Sequence, residues 1–121
     1  MGKRILVVED QEDNRRILRD LLTSVGYEII EATTGEEGVA LAETGHPDLI
    51  LMDIQLPGID GYEATRRVRA HPALRQVPII AVTSYALSGD DVKAKEAGCD
   101  GYVPKPFSPR ALLAKIREYL P

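Results

Sequence analysis

A single cysteine, Cys99, is the whole thiol content of this 121-residue chain. An internal disulfide and any Cys-based zinc site are thereby excluded, and the scarcity of thiols suits a reducing cytoplasm. Long apolar runs are also missing. Each hydrophobic stretch is a handful of residues, far short of the ~20 that a membrane span needs. The opening Met1-Gly2-Lys3-Arg4 enters an apolar stretch too short for a secretory leader, and an acidic pair follows at once. Excess basic charge is absent: 15 Lys and Arg against 19 Asp and Glu leave a net charge of −4, which argues against a nucleic-acid binder. No repeat, linker or low-complexity tract occurs, and neither does a P-loop or a Gly-x-Gly-x-x-Gly sequence. His46 and His71 share no ligand spacing and read as solvent-facing, while Cys99 reads as a small core residue. Arg66, Arg67, Arg69 and Arg75 read as a solvated helix face.

What is present is an ordinary soluble composition, 44% hydrophobic and 28% charged, at one domain's length, so one folded unit over 1–121 is expected. Apolar strand-like runs alternate with helical periodicity. Arg4 to Val8 is β-branched and apolar. Ile17, Leu18, Leu21, Leu22 and Val25 recur at helical spacing before Gly26. Glu28 to Ala32 reads as a second strand, and Thr34 with Glu37 as a capping box for a helix through Thr44. Leu49 to Asp53 is a third strand, Gln55 to Gly61 a loop, and Tyr62 to Ala70 a helix. Pro78 to Thr83 is a fourth strand, Ser88 with Asp91 caps a helix ending near Gly98, and Gly101 to Val103 is a fifth strand. Ser108 and Pro109 open the last helix, with Leu112, Leu113, Ile116 and Leu120 on one face.

Alternation of this kind implies an α/β fold with parallel strands. The first, third and fourth strands are continuously apolar, as strands covered on both faces must be, whereas the second and fifth are short or mixed. The expected sheet is therefore a doubly wound, flavodoxin-like (βα)5 sandwich of order 2-1-3-4-5. In such sheets ligands bind at the carboxyl ends of the strands beside the point where the order reverses.

The chemistry-bearing residues lie there. Glu9 and Asp10 follow the first strand and Asp53 ends its neighbour, so three carboxylates converge. Two like charges ~4 Å apart repel by about 4 kcal/mol at an effective dielectric of about 20, so a bare cluster is costly. An all-oxygen acidic site suits a hard divalent cation such as magnesium. Thr83 closes the fourth strand and Lys105 lies just past the fifth. A hydroxyl and an ammonium facing an acidic metal site make sense if a phosphoryl group arrives there.

Val8-Glu9-Asp10, Leu51-Met-Asp53-Ile-Gln-Leu-Pro-Gly58 with Asp60-Gly61, Val82-Thr83-Ser84 and Tyr102-Val-Pro-Lys105-Pro-Phe107 resemble the receiver domain of two-component response regulators. The match runs over essentially the whole chain and is most similar to single-domain members of the CheY and DivK type. The resemblance implies that Asp53 takes a phosphoryl group from the phosphohistidine of a sensor histidine kinase or histidine phosphotransfer protein. It implies that Glu9, Asp10, Asp53 and the carbonyl of Gln55 hold Mg2+ (or Mn2+), that Lys105 pairs with the phosphoryl oxygens, and that Thr83 moves to bond one of them. Tyr102 fits the family's aromatic switch, Lys105-Pro106 its cis peptide, and Gln55 and Tyr85 the positions flanking the hydrolytic water. Glu9 stands where many members carry Asp.

The expected output is a protein contact on the fourth helix, fifth strand and fifth helix, read by a downstream target, with the chain a cytoplasmic monomer or weak dimer. The kinase is expected over the first helix near Asn14 and Ile17. The chain closes about one residue past the last helix, so no output domain is expected. A haloacid-dehalogenase-type enzyme would need a second Asp where Gln55 stands. A flavodoxin-like cofactor binder would need a phosphate loop where Glu9 to Asp13 would repel phosphate. A pure protein-interaction domain is the remaining rival.

Overall fold

Period-two alternation in the strands divides the apolar residues between two cores, and this sets the architecture. In the computed structural model, which describes residues 2–83 and 90–120, five strands alternate with five helices. They are β1 (Arg4–Val8), α1 (Glu12–Ser24), β2 (Glu28–Ala32), α2 (Gly35–Gly45), β3 (Leu49–Asp53), α3 (Gly61–Arg69), β4 (Ile79–Thr83), α4 (Asp90–Ala97), β5 (Gly101–Pro104) and α5 (Pro109–Tyr119), with a short 3-10 turn at Pro72–Leu74. All neighbouring strands pair parallel, in the order β2-β1-β3-β4-β5. The expected fold and strand order are therefore those observed.

Leu6, Val8, Ile50, Met52, Ile79 and Ala81 share one face of the sheet with Ala42, Ala64, Val68 and Ala94 from α2, α3 and α4. Their alternates Ile5, Val7, Leu49, Leu51, Ile80 and Val82 meet Leu18, Leu22, Leu112 and Ile116 from α1 and α5. β3 and β4 are buried throughout, as strands with helices on both faces must be. Side-chain caps fix three helix starts: Thr34, Asp60 and Ser108 accept from the amides of Glu37, Glu63 and Ala111. The side chain of Glu37 reaches back to the amide of Thr33. The cap expected from Ser88 lies outside the described residues. Gly26 turns the chain out of α1 at φ 95°, a conformation that carries little steric penalty only for glycine.

Several expectations are corrected. α3 runs from Gly61 to Arg69, not from Tyr62 to Ala70, because Asp60 caps it one residue earlier. Only Leu18 and Leu22 of the α1 stripe are buried; Val25 stands 42% exposed, and Ile17, expected on the surface toward the kinase, 56%. Val92 is 53% exposed, leaving Ala94 and Ala97 as the apolar contribution of α4 to the core. Arg69 is not part of a solvated face. Its guanidinium donates to the carbonyls of Leu74, Val77 and Gly98 at 2.7–2.9 Å and pairs with Asp100 at 2.7 Å.

Candidate functional site

Because β1 and β3 are adjacent and parallel, Glu9 and Asp53 leave the sheet side by side at its carboxyl edge. The two side chains are 2% and 4% exposed, unusual for carboxylates and tolerable only with partners. Glu9 accepts from the backbone amide of Gln11 at 3.1 Å, and Asp53 from that of Gln55 at 3.1 Å. Lys105 arrives from a point 96 residues away in the chain. Its Nζ lies 2.8 Å from Glu9 Oε1 and 3.4 Å from Asp53 Oδ2. Lys105 is held there by its own amide, which donates to the carbonyl of Thr83 at 2.6 Å, and the Lys105–Pro106 peptide is cis. Thr83 is fully buried at the end of β4.

One glycine sets the floor of the site. Gly61 lies against the backbone of Asp53 and Ile54: a Cβ there would overlap the Asp53 carbonyl oxygen and come within 2.7 Å of Ile54 Cα. The Gly61 amide bonds the Ile54 carbonyl at 2.9 Å, so α3 starts directly beneath the end of β3.

One cation cannot satisfy two buried carboxylates equally. Burial, reinforced by the neighbouring Glu9 charge, pushes the Asp53 carboxyl up to about 7 in spite of Lys105. At Glu9 burial acts in the same direction, but hydrogen bonds from Lys105 and the Gln11 amide outweigh it and hold the carboxyl below its ordinary value. Burial would lower the Lys105 ammonium, yet the two carboxylates hold it above the usual lysine range. Asp10, half-exposed beside Glu9, is raised by burial and then by the Glu9 charge. With all three carboxylates ionised against one ammonium, the site is two positive charges short.

Glu9, Asp10 and Asp53 each present a carboxylate oxygen within 4.8 Å of the others. With Gln11, Asn14, Gln55 and Lys105 they line an open cleft of about 460 Å³. An all-oxygen donor set with an uncompensated negative charge and solvent access fits a hard divalent cation that keeps part of its water shell. Of the residues singled out in the sequence, Glu9, Asp10, Asp53, Gln55 and Lys105 meet here. Thr83 touches the group through the Lys105 amide, and Tyr102 lies on β5, partly buried against the core on the α2–α4 side. Tyr85 lies outside the described residues. Arg15, whose Nη1 donates to the Glu9 carbonyl at 2.9 Å, is a neighbour of the site that motif reading missed; its spacing on α1 marks only a polar position.

The family model for the response regulator receiver domain matches residues 5–117. The chain belongs to the response regulator receiver family. This receiver is 43% identical over 120 residues to the polar-differentiation response regulator DivK of Brucella ovis, covering 99% of this chain and 98% of that protein. Among solved structures it is similar to a response regulator from Chloroflexus aurantiacus, with a TM-score of 0.94 and 33% identity over 99% of this chain and 98% of the other. It is also similar to the receiver domain of a Pseudomonas aeruginosa PAO1 sensor histidine kinase, with a TM-score of 0.92 and 40% identity over 99% and 98% of the two chains. The latter structure carries a magnesium ion coordinated in its active-site cleft. Among the described residues of this receiver, no helix is long and apolar enough to cross a membrane.

Proposed function

We propose that this receiver accepts a phosphoryl group on Asp53 from a phosphohistidine of a sensor histidine kinase or histidine phosphotransfer protein. The observation that carries the reading is Asp53 itself: a buried carboxylate between a lysine and a second acid, at the head of an open cleft. An Asp53 oxygen attacks phosphorus, the P–O bond forms as the P–N bond breaks, and the imidazole leaves with its electron pair and takes up a proton. Glu9, Asp10, Asp53 and the carbonyl of Gln55 would hold Mg2+ (or Mn2+). When bound, that ion neutralises charge on the transferred phosphoryl oxygens. Lys105, 3.4 Å from Asp53, would pair with those oxygens, and Thr83 would move to donate its hydroxyl to one of them. An Asp53 carboxyl raised to about 7 is a poor nucleophile while protonated, and Lys105 is the group that favours its ionised, attacking form.

The kinase is proposed to dock over α1. Asn14 and Ile17 join Lys105, Pro106 and Phe107 in a mainly apolar groove of about 440 Å³ adjoining the cleft, which gives the exposed Ile17 a role. The output surface is proposed on α4, β5 and α5. α4 has no apolar stripe and contributes only Ala94 and Ala97 to the core, so it is weakly held. Amide exchange with and without beryllofluoride checks this: changes confined to residues 9–14 and 53–61 would overturn it. Gln55 and Tyr85 are proposed to set phosphoryl lifetime, Tyr85 on sequence grounds alone. Labelling with acetyl phosphate, mapped by borohydride reduction, tests the main reading. Label is expected on Asp53 alone and is expected to vanish with chelator. Label persisting in Asp53→Asn would refute it.

A further inference from the structure

The carboxylates of the cleft are oriented by the backbone between Glu9 and Asp10, and that backbone is gripped from outside the cleft. Arg15, 15% exposed at its side chain, donates from Nη1 to the Glu9 carbonyl oxygen at 2.9 Å. That oxygen belongs to the peptide plane joining Glu9 to Asp10. Pinning it limits the rotation that would swing the Asp10 carboxylate away from those of Glu9 and Asp53. Arg15 is in turn anchored: its Nε lies 3.6 Å from Glu31 on the edge strand β2. Glu31 is held by a two-point pair with Arg19, at 2.7 and 2.9 Å. The adjoining backbone is tied the same way, with the Glu9 amide donating to the Ala32 carbonyl at 3.0 Å. Arg19, Glu31 and Arg15 thus form a chain from the sheet edge to the acidic pair, with no member in the cleft.

We infer that Arg15 is a positioning residue for this site: anchored through Glu31 and Arg19, it fixes the Glu9–Asp10 peptide so that the acidic pair is preset for a divalent cation. Outer partners of ligating groups often set metal affinity in this way. A planar guanidinium can bond a carbonyl through one nitrogen while another pairs with a carboxylate, which an ammonium on a flexible stem cannot do in fixed geometry.

The inference rests on the cation site of the proposed function, and its test separates the two. MgCl2 is titrated into the full chain at constant ionic strength, followed by amide NMR shifts of residues 9–11 and 53–55, with thermal melting in parallel. Arg15→Met is expected to weaken Mg2+ about tenfold and to shift the Asp10 amide in metal-free protein. Arg15→Lys, which keeps the charge, is expected to recover only part of that affinity. Glu31→Gln, outside the cleft, is expected to weaken Mg2+ by roughly threefold. Absence of Mg2+ binding in the unsubstituted protein would overturn the cation site and this inference with it. Normal binding there with unchanged affinity in Arg15→Met, measured well below its melting temperature, overturns the inference alone, even if Arg15→Met melts earlier. Full recovery by Arg15→Lys reduces Arg15 to a nearby charge and equally overturns it. Should Arg15→Met not fold, unchanged affinity in Glu31→Gln gives the negative result.

Discussion

Removing the Asp53 charge should stabilise the metal-free protein, and by an amount that depends on pH. The Asp53 carboxyl titrates at about 7 in the fold against 3.8 for an ordinary aspartate, because burial and then Glu9 oppose its charge. A carboxyl raised in the folded state contributes stability below its unfolded value and loses it as pH rises through the folded value. At about 1.4 kcal/mol per pH unit, the shift costs the fold about 4 kcal/mol at pH 8, where Asp53 must be ionised, and less than about 2 kcal/mol at pH 5, where the fold holds it protonated. Asp53→Asn removes that term. Its carbonyl oxygen still accepts from Gln55, but it brings amide hydrogens to be satisfied beside Lys105, an offset of about 1–2 kcal/mol. The net expectation is a gain of about 2–3 kcal/mol at pH 8, or roughly 10 °C in melting temperature for a domain of this length, and almost none at pH 5. Calorimetric melts of both proteins in chelator, at pH 5 and pH 8, read this directly. An Asn variant no more stable than the parent at pH 8, or a gain that persists undiminished at pH 5, would refute the account of the buried charge.

Other perturbations follow from the same geometry. Gly61→Ala forces a Cβ into the Asp53–Ile54 backbone, so urea melts should show a loss of more than about 2 kcal/mol and acetyl phosphate labelling should slow as Asp53 shifts. Arg69→Met leaves three carbonyls and Asp100 without their guanidinium, and chemical denaturation should register roughly 2–4 kcal/mol of destabilisation with Arg69→Lys intermediate. Changing Asn14 and Ile17 together should alter which histidine kinase labels the protein while leaving stability within about 0.5 kcal/mol, since Ile17 is largely exposed, and leaving acetyl phosphate labelling intact. Equal loss with both donors would count against a docking role.

The architecture was legible because its signals are local. Uninterrupted apolar runs at Leu49–Asp53 and Ile79–Thr83 are what strands between two helical layers require, and both are buried throughout. Capping chemistry marked the starts of α2 and α5 at Thr34 and Ser108, each confirmed by an amide bond to the side-chain oxygen. Periodicity was less reliable for exposure. A helical stripe shows that a face is apolar, not how much of it the neighbouring layer covers: of the α1 stripe Leu18 and Leu22 are buried, while Ile17 and Val25 stand in solvent. Composition was least reliable for arginine. Arg69 reads as one more charge on a polar face, yet its long stem carries the guanidinium to carbonyls from two loops that meet only in the folded chain.

The same division holds at the cleft. Residue type and strand-end position sufficed to assemble Glu9, Asp10, Asp53 and Lys105 as one group, with Gln55 added by the family resemblance, because in a parallel sheet every carboxyl end lies on one edge and strand order follows from burial. How the charge is apportioned could not be read in the same way. Burial pushes both carboxyls up; the Glu9 charge adds to this and leaves Asp53 at about 7, while Lys105, closer to Glu9 than to Asp53, joins the Gln11 amide in holding Glu9 below its ordinary value. Nor could the sequence show that Arg15 turns toward the Glu9 carbonyl while Arg16, next to it, faces Asp13 in solvent. Spacing and residue type are properties of the chain, whereas desolvation and distance between groups far apart in it arise only once the layers have packed.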